Sequence, residues 1–328
     1  MTKLSILDLS PITEGSTAAT ALANSLDLAR HAESLGYHRY WVAEHHNMPG
    51  IASAATAVVI GHIAAGTEII RVGAGGIMLP NHAPLVVAEQ FGTLEALHPG
   101  RIDLGLGRAP GTDGITSQAL RRTLHSDPNQ FPRDVAELRG YLQAPQAGQQ
   151  VKAVPGQGTE VPLYILGSSL FGAQVAAHFG LPFAFASHFA SGDLMPAIEI
   201  YRQQFTPSAQ LSEPYVILGY QLCAADTEEE ASLLHTSALQ SFLNLRSGKP
   251  GPLPPPRAGY QASLAQQERA ILSQITQCSA VGDRAQVGEA ITLFAERTGA
   301  DELIMTANIF DHTARMHAYT LAMEACFP

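Results

Sequence analysis

Charged side chains are scarce in this chain: only 15% of its 328 residues are Asp, Glu, Lys or Arg. So little charge predicts extensive buried surface, as in an oligomer. Positive charge is scarcest, with 19 Lys and Arg against 29 Asp and Glu. The resulting net charge of -10 argues against nucleic acid and anionic membrane as partners. The three cysteines, Cys223, Cys278 and Cys326, are far apart and odd in number. They form no disulfide framework and no zinc spacing, so a reducing, cytoplasmic setting is expected. Long hydrophobic runs are missing too. Met1-Thr2-Lys3-Leu4-Ser5 leads straight into a strand without a signal-like apolar stretch. The most apolar segment, residues 51–65, is too short to span a bilayer and contains His62. No Gly-x-Ser-x-Gly elbow, Walker loop or Cys with a plausible His partner is present, so nucleophilic hydrolysis and nucleotide hydrolysis fall away.

What is present centres on residues 72–114. Val72-Gly73-Ala74-Gly75-Gly76-Ile77-Met78-Leu79-Pro80 and Arg101-Ile102-Asp103-Leu104-Gly105-Leu106-Gly107-Arg108 read as strands, and residues 84–97 between them as a helix. A strand–helix–strand unit predicts two parallel neighbours. Both strands run into glycine, which lets a flat ligand or another backbone come close. Arg108 follows at once, at the carboxyl end of its strand, where parallel α/β folds place ligands. A tight turn and a salt-bridged Arg would read the same, so this motif gains weight only in company.

Taken in order, strands are expected at 4–9, 40–43, from 69 onward, up to Arg108, and at 162–166, 182–186, 215–224 and 302–306. Helices are expected at 18–35, 52–65, 84–97, 132–141, 171–179, 193–205, from an Asp226 cap onward, from an Asp283 cap to 297, and at 313–326. Gly36, Gly66, Gly180 and Gly299 are read as helix stops. Eight strands alternating with helices, without a linker, predict one (β/α)8 barrel over residues 1–328. An open doubly wound sheet is the alternative, weakened because no GxGxxG opens a helix after an early strand. Excursions are expected after the fourth strand (109–131, a loop with a short helical piece) and after the seventh. Residues 144–160 read as a surface excursion, and Pro-rich 247–259 as a lid or a disordered loop. The 52–65 helix has little polar face. It is read as a homodimer interface, with burial inside one subunit the alternative.

Three constellations could carry chemistry. In Tyr164-Ile165-Leu166-Gly167-Ser168-Ser169, a strand stops and a helix begins, so free amides and the helix dipole favour an anion such as phosphate. Helix capping by Ser168 or Ser169 uses the same geometry and is the commoner role. In Glu44-His45-His46, neighbouring side chains of an extended segment point to opposite faces, so His45 and His46 make a poor chelating pair. Asp8, His188 or Asp311-His312 could complete a metal site, but no HxH or HxxE spacing supports one, and no metal is expected. His45, at a strand's carboxyl end, suits proton transfer near neutral pH.

These residues resemble the bacterial luciferase-like flavin monooxygenases, in their single-subunit oxidoreductase branch. The motifs are Leu7-Asp8-Leu9-Ser10-Pro11, the segment 37–47 ending in Glu44-His45-His46-Asn47, the 72–114 unit, Leu166-Gly167-Ser168-Ser169, the segment 180–189 and Ile309-Phe310-Asp311-His312. They cover nearly the whole chain. The resemblance implies a barrel that binds FMN at its carboxyl rim. It places Arg108 on the flavin phosphate, Ser168 and Ser169 on the phosphate loop with Gly172 at its helix start, and a non-prolyl cis peptide at Gly75-Gly76 behind the ring. His45 matches the catalytic histidine. Luciferase has a Glu where this chain has Ser168, and a reactive Cys where it has Gly107; the missing Cys argues against luciferase-type aldehyde chemistry and light emission and leaves flavin binding untouched. The expected reaction uses reduced FMN from a separate flavin reductase, dioxygen and a small organic substrate. Alternatives are a non-catalytic FMN-binding protein and a deazaflavin-dependent hydride-transfer enzyme, with a metal hydrolase more distant.

Overall fold

Short apolar runs alternate with alanine-rich helical stretches, and nearly every such run becomes a strand of one parallel sheet. The computed structural model describes residues 2–109, 114–120 and 130–327, side chains of 274 and 275 excepted. In chain order the elements are β1 (Lys3–Asp8), α1 (Ala18–Leu35), β2 (Arg39–Val42), α2 (Thr56–Ala65), β3 (Arg71–Met78), α3 (Pro84–Leu97), β4 (Ile102–Gly107), α4 (Gly114–Leu120) and α5 (Phe131–Leu142). Then follow β5 (Leu163–Gly167), α6 (Leu170–Phe179), β6 (Phe183–Phe185), α7 (Leu194–Gln204), β7 (Val216–Ala224), α8 (Glu228–Arg246) and α9 (Tyr260–Ser263). The last are α10 (Gln266–Ile275), β8 (Ser279–Gly282), α11 (Arg284–Thr298), β9 (Glu302–Thr306) and α12 (His312–Cys326).

Strands β1 to β7 pair in order, β9 joins β7 to β1, and the ring closes as an eight-stranded parallel barrel. Strand β8 is a ninth that the sequence pattern does not reveal. It pairs with the far end of β7, from Gln221 opposite Ser279 to Ala224 opposite Gly282, and so lies outside the ring. Alternation sorts the side chains. Ile6, Tyr40, Val42, Val72, Leu104, Ile165 and Leu303 face the helices and share a core with Leu28, Ile60, Ile63 and Phe91. Leu7, Trp41, Tyr164, Ile217 and Ile304 fill the barrel interior.

Charges at strand starts plug the amino-terminal end. Arg39 donates to Glu302 (2.8 Å), Asp103 (2.7 Å) and the Tyr164 hydroxyl (2.8 Å), and Arg71 donates to Asp103 (2.5 Å). Burial works to raise the Asp103 carboxyl, but Arg39 and Arg71 outweigh it and hold it below its usual range. A second buried cluster fixes the end of β1: Asp8 takes hydrogen bonds from Arg315, Ser25 and Tyr40. Asp8 is therefore committed to a helix contact and not to a metal. Asp311 caps α12 and His312 pairs with Asp27, so neither is a ligand.

Several expectations need correction. The 52–65 helix begins at Thr56, because the Ser53 hydroxyl donates to the Ala43 (2.6 Å) and Leu9 (3.2 Å) carbonyls and keeps residues 52–55 in a loop. Thr227, not Asp226, caps α8, and Asp226 pairs with His317. Residues 144–160 run over the surface as expected, anchored at two points, with Ala153 buried and Gly156 against the Ala88 backbone. Pro-rich 247–259 is fastened: Leu253 is buried and exchanges backbone hydrogen bonds with Ile12 and Glu14. It is a strap over the β1 exit rather than a loose lid. Of the 109–131 excursion, 110–113 and 121–129 lie outside the described residues, and α4 is its helical piece. Helix α2 buries Val59, Ile60 and Ile63 within its own subunit while leaving Val58 73% exposed. Ile69, Val86 and Leu97 on the adjoining segments are exposed as well.

Candidate active site

The glycine run on β3 is bulged. Its register against β4 jumps between Ala74–Leu104 and Ile77–Leu106, and the Gly75-Gly76 peptide inside the jump is cis. A side chain at 75 would meet Leu7 (2.6 Å) and the Trp41 Cβ (3.0 Å), and one at 76 would meet the Gly105 carbonyl (2.7 Å). Of the two reasons for strand glycine, close approach by protein is therefore realised in the structure: Leu7 and Trp41 form a floor against Gly75. Gly107 ends β4 above that floor, with the Met78 thioether and the Ile77 carbonyl nearest to where its side chain would be.

Arg108 leaves β4 and crosses to the next unit. Its guanidinium lies 4.5 Å from the centroid of Phe171, in the first turn of α6. The guanidinium and the turn after β5 thus share one corner of the rim. Ser169 is the N-cap of α6 by position, yet its hydroxyl makes no capping hydrogen bond. Ser168 is exposed. The commoner reading of this pair, as a helix cap, does not describe the Ser169 side chain. Gly172 is buried in the first turn of α6, and a side chain there would lie in ordinary contact with Phe183 (3.4 Å) and Gly167 (3.5 Å). A cationic fork, a helix amino terminus and two hydroxyls together can hold a dianion.

His45 stands at the end of β2, half-buried, near His188 from the exit of β6. His188 packs over Gly219 of β7, and its backbone carbonyl accepts from the Gln221 amide (2.8 Å). Its Nδ1 is sealed from solvent without a hydrogen-bond partner among the described residues. Burial, with His45 beside it, pushes the His188 imidazole down to about 4, so it is neutral at pH 7. His46 turns the other way, as alternation requires, toward Glu44. His188 could have been suspected from its place after a strand, but its inward aim depends on Gly219, far away in sequence. Glu44 and His82 were also missed as a pair: His82 sits in the turn after β3, and its Nε2 is 2.8 Å from Glu44.

Comparison with known proteins gives a consistent result. A family model described as luciferase-like monooxygenase matches residues 2–302. A protein named luciferase-like monooxygenase from Escherichia coli (strain K12) is 52% identical over 320 residues, covering 98% of this chain and 96% of the relative. The N-acetyl-S-alkylcysteine monooxygenase of Bacillus subtilis (strain 168) is 40% identical over 244 residues, 70% of each chain. Among solved structures, apo-MsnO8 superposes with a TM-score of 0.89 at 34% identity, covering 99% of this chain and 98% of the other. An FMN complex of the oxygenating constituent of 3,6-diketocamphane monooxygenase from Pseudomonas putida has a TM-score of 0.73 at 16% identity, covering 99% of this chain and 98% of the other. At that identity the likeness concerns the fold.

Proposed function

We propose, for a chain that belongs to the luciferase-like monooxygenase family and is by that membership an oxidoreductase, that it uses reduced FMN and dioxygen to oxidise a small organic substrate. The observation that carries this reading is the corner where Arg108 stacks on Phe171 beside the uncapped start of α6. The donor set there fits a flavin phosphate: a fork-shaped cation, backbone amides and the Ser168 and Ser169 hydroxyls. Bound reduced flavin supplies the oxygen activation. The chain's own residues then hold the phosphate, wall one side of the rim through Gly75, Gly76 and Gly107, and manage protons. His45 is assigned proton transfer, with neutral His188 as the imidazole beside it.

Reduced flavin is proposed to come from a separate reductase in the cytoplasm, since the sequence carries no GxGxxG fingerprint for a nicotinamide dinucleotide. Two copies are proposed to meet on the exposed apolar face around Val58.

The test is a titration of the chain with FMN, oxidised and reduced, and in parallel with a deazaflavin. Oxygen uptake is then measured with a substrate panel that includes N-acetyl-S-alkylcysteines, after the substrate named for the Bacillus relative. Binding of the deazaflavin but not FMN would replace this reading with hydride transfer. FMN binding without substrate-dependent oxygen uptake across a broad panel would leave a flavin carrier. Within the enzyme reading, His45→Ala should slow turnover while leaving FMN affinity nearly intact; unchanged turnover removes His45 from the chemistry.

A further inference from the structure

Four carboxylates are buried among the described residues: Asp8, Glu44, Asp103 and Glu302. Three of them face a guanidinium. Asp8 meets Arg315 at 2.6 Å, Asp103 meets Arg39 at 2.7 Å and Arg71 at 2.5 Å, and Glu302 meets Arg39 at 2.8 Å. Glu44 is the exception. Its Oε1 lies 2.8 Å from His46 Nε2 and 2.8 Å from His82 Nε2, with no Lys or Arg bridged to it among the described residues. A buried carboxylate without a full countercharge is costly, so this position calls for a cation.

We propose that Glu44, His46 and His82 form a binding site for a divalent transition-metal ion of the zinc class. Two imidazole nitrogens and one carboxylate oxygen are the donor set such ions take, leaving a position open for water. The three donor atoms lie within 4.8 Å of one another. Bonds of about 2.0–2.2 Å to each would need donor separations of roughly 3.3 Å in a tetrahedral site. The two Nε2–Oε1 separations are already shorter than that. Each would lengthen by about half an ångström on ligation, and the two imidazoles stand on rim segments with side chains 16% and 30% exposed. The second Glu44 oxygen accepts from the Met78 amide at 3.0 Å, which fixes the carboxylate's orientation.

An ion here takes the place of the two imidazole hydrogen bonds to Glu44 and supplies the positive charge that the buried carboxylate lacks. It ties the exit of β2 to the turn after β3 on either side of His45, as a staple between two rim loops. The site is not visible as a motif because Glu44 and His46 come from one loop and His82 from another.

The test uses the untagged full chain, freed of metal by chelator, without flavin in any arm, so that its outcome is independent of the flavin reading. Co²⁺ is titrated while its visible ligand-field bands are followed, and Zn²⁺ is titrated by displacement. Wild type should take up one Co²⁺ per chain and melt at a higher temperature with it. His82→Ala and, separately, His46→Ala should bind it ~10-fold or more weakly, while each metal-free variant still melts in one cooperative transition. The proposal is overturned if no bands appear at millimolar Co²⁺. It is equally overturned if both variants keep wild-type bands and affinity, which would put the ion on other histidines.

Discussion

Replacing Arg108 by Ala separates phosphate recognition from every other way of holding a flavin. The guanidinium is half-buried and stacked 4.5 Å from the Phe171 ring centroid. A fork held this way can give a phosphate two charge-assisted hydrogen bonds, each worth about 1.5–3 kcal/mol when well made. Exposure to solvent reduces the sum, so a loss of about 2–3 kcal/mol is expected, or ~30- to 150-fold in Kd. The assay is quenching of flavin fluorescence, run with FMN and with riboflavin, which lacks the phosphate. FMN affinity should fall by that factor, and riboflavin affinity should stay within about twofold. Lys at 108 keeps the charge but loses the fork and should fall between. Phe171→Leu removes only the stacking, about 0.5–1 kcal/mol at an exposed site. Equal losses for FMN and riboflavin, or none for either, would refute the assignment of Arg108 to the phosphate.

Three further perturbations probe other parts of the molecule. Val58→Glu places a charge on the exposed α2 face; it should convert a dimer to a monomer in sedimentation, and a monomeric wild type ends that proposal. Burial pushes His235 on α8, like His188, down to about 4. Because the unfolded ring binds a proton near pH 6.5 and the folded ring does not, stability is full above that value and is lost as pH falls toward 4, by on the order of 2–3 kcal/mol per histidine. His235→Gln should flatten this slope in urea titrations, and an unchanged slope would deny the buried neutral ring. Arg39→Met leaves Glu302 and Asp103 short of a cation and should cost about 3–5 kcal/mol, read as a lower urea midpoint; a midpoint near wild type would show the barrel plug to be dispensable.

The barrel was legible because strands and helices differ in period and because Gly36, Gly180 and Gly299 mark helix ends, where all three adopt the left-handed conformation. Strand β8 was not, since Ser279–Gly282 is short and lies among segments of helical character. The start of α2 was misplaced for a different reason. Ala52 to Ala55 have helical composition, and the Ser53 hydroxyl, bonded to carbonyls at the β1 and β2 exits, with the Ala52 amide bonded to the Ser10 carbonyl, holds them out of the helix. Local propensity cannot register such a long-range bond. The approach of Arg108 to α6 was readable as two strand ends in a closed ring. The Glu44–His82 and His45–His188 neighbours were not, because each pairs loops whose heights above the rim depend on packing.

The two ends of the barrel differ in how their polar groups are completed, and this difference speaks for the ligand end without reference to relatives. At the amino-terminal end the buried charges are matched, with Arg39 spanning Asp103 and Glu302 and Arg71 closing on Asp103. At the carboxyl rim the Ser169 hydroxyl does not cap its helix and His188 Nδ1 is sealed without a partner among the described residues. An orphaned buried group costs about 1–3 kcal/mol, so its persistence calls for an explanation. Orphans alone do not mark a site, since Ser5, His235 and Ser237 are orphaned elsewhere. At the rim they occur together with a guanidinium stacked at the head of a helix and a second imidazole beside His188. A matched set resists unfolding and gains nothing from a ligand. An unmatched set on one rim is completed by one, and that asymmetry supports the proposal that the chemistry lies above the Leu7–Trp41 floor.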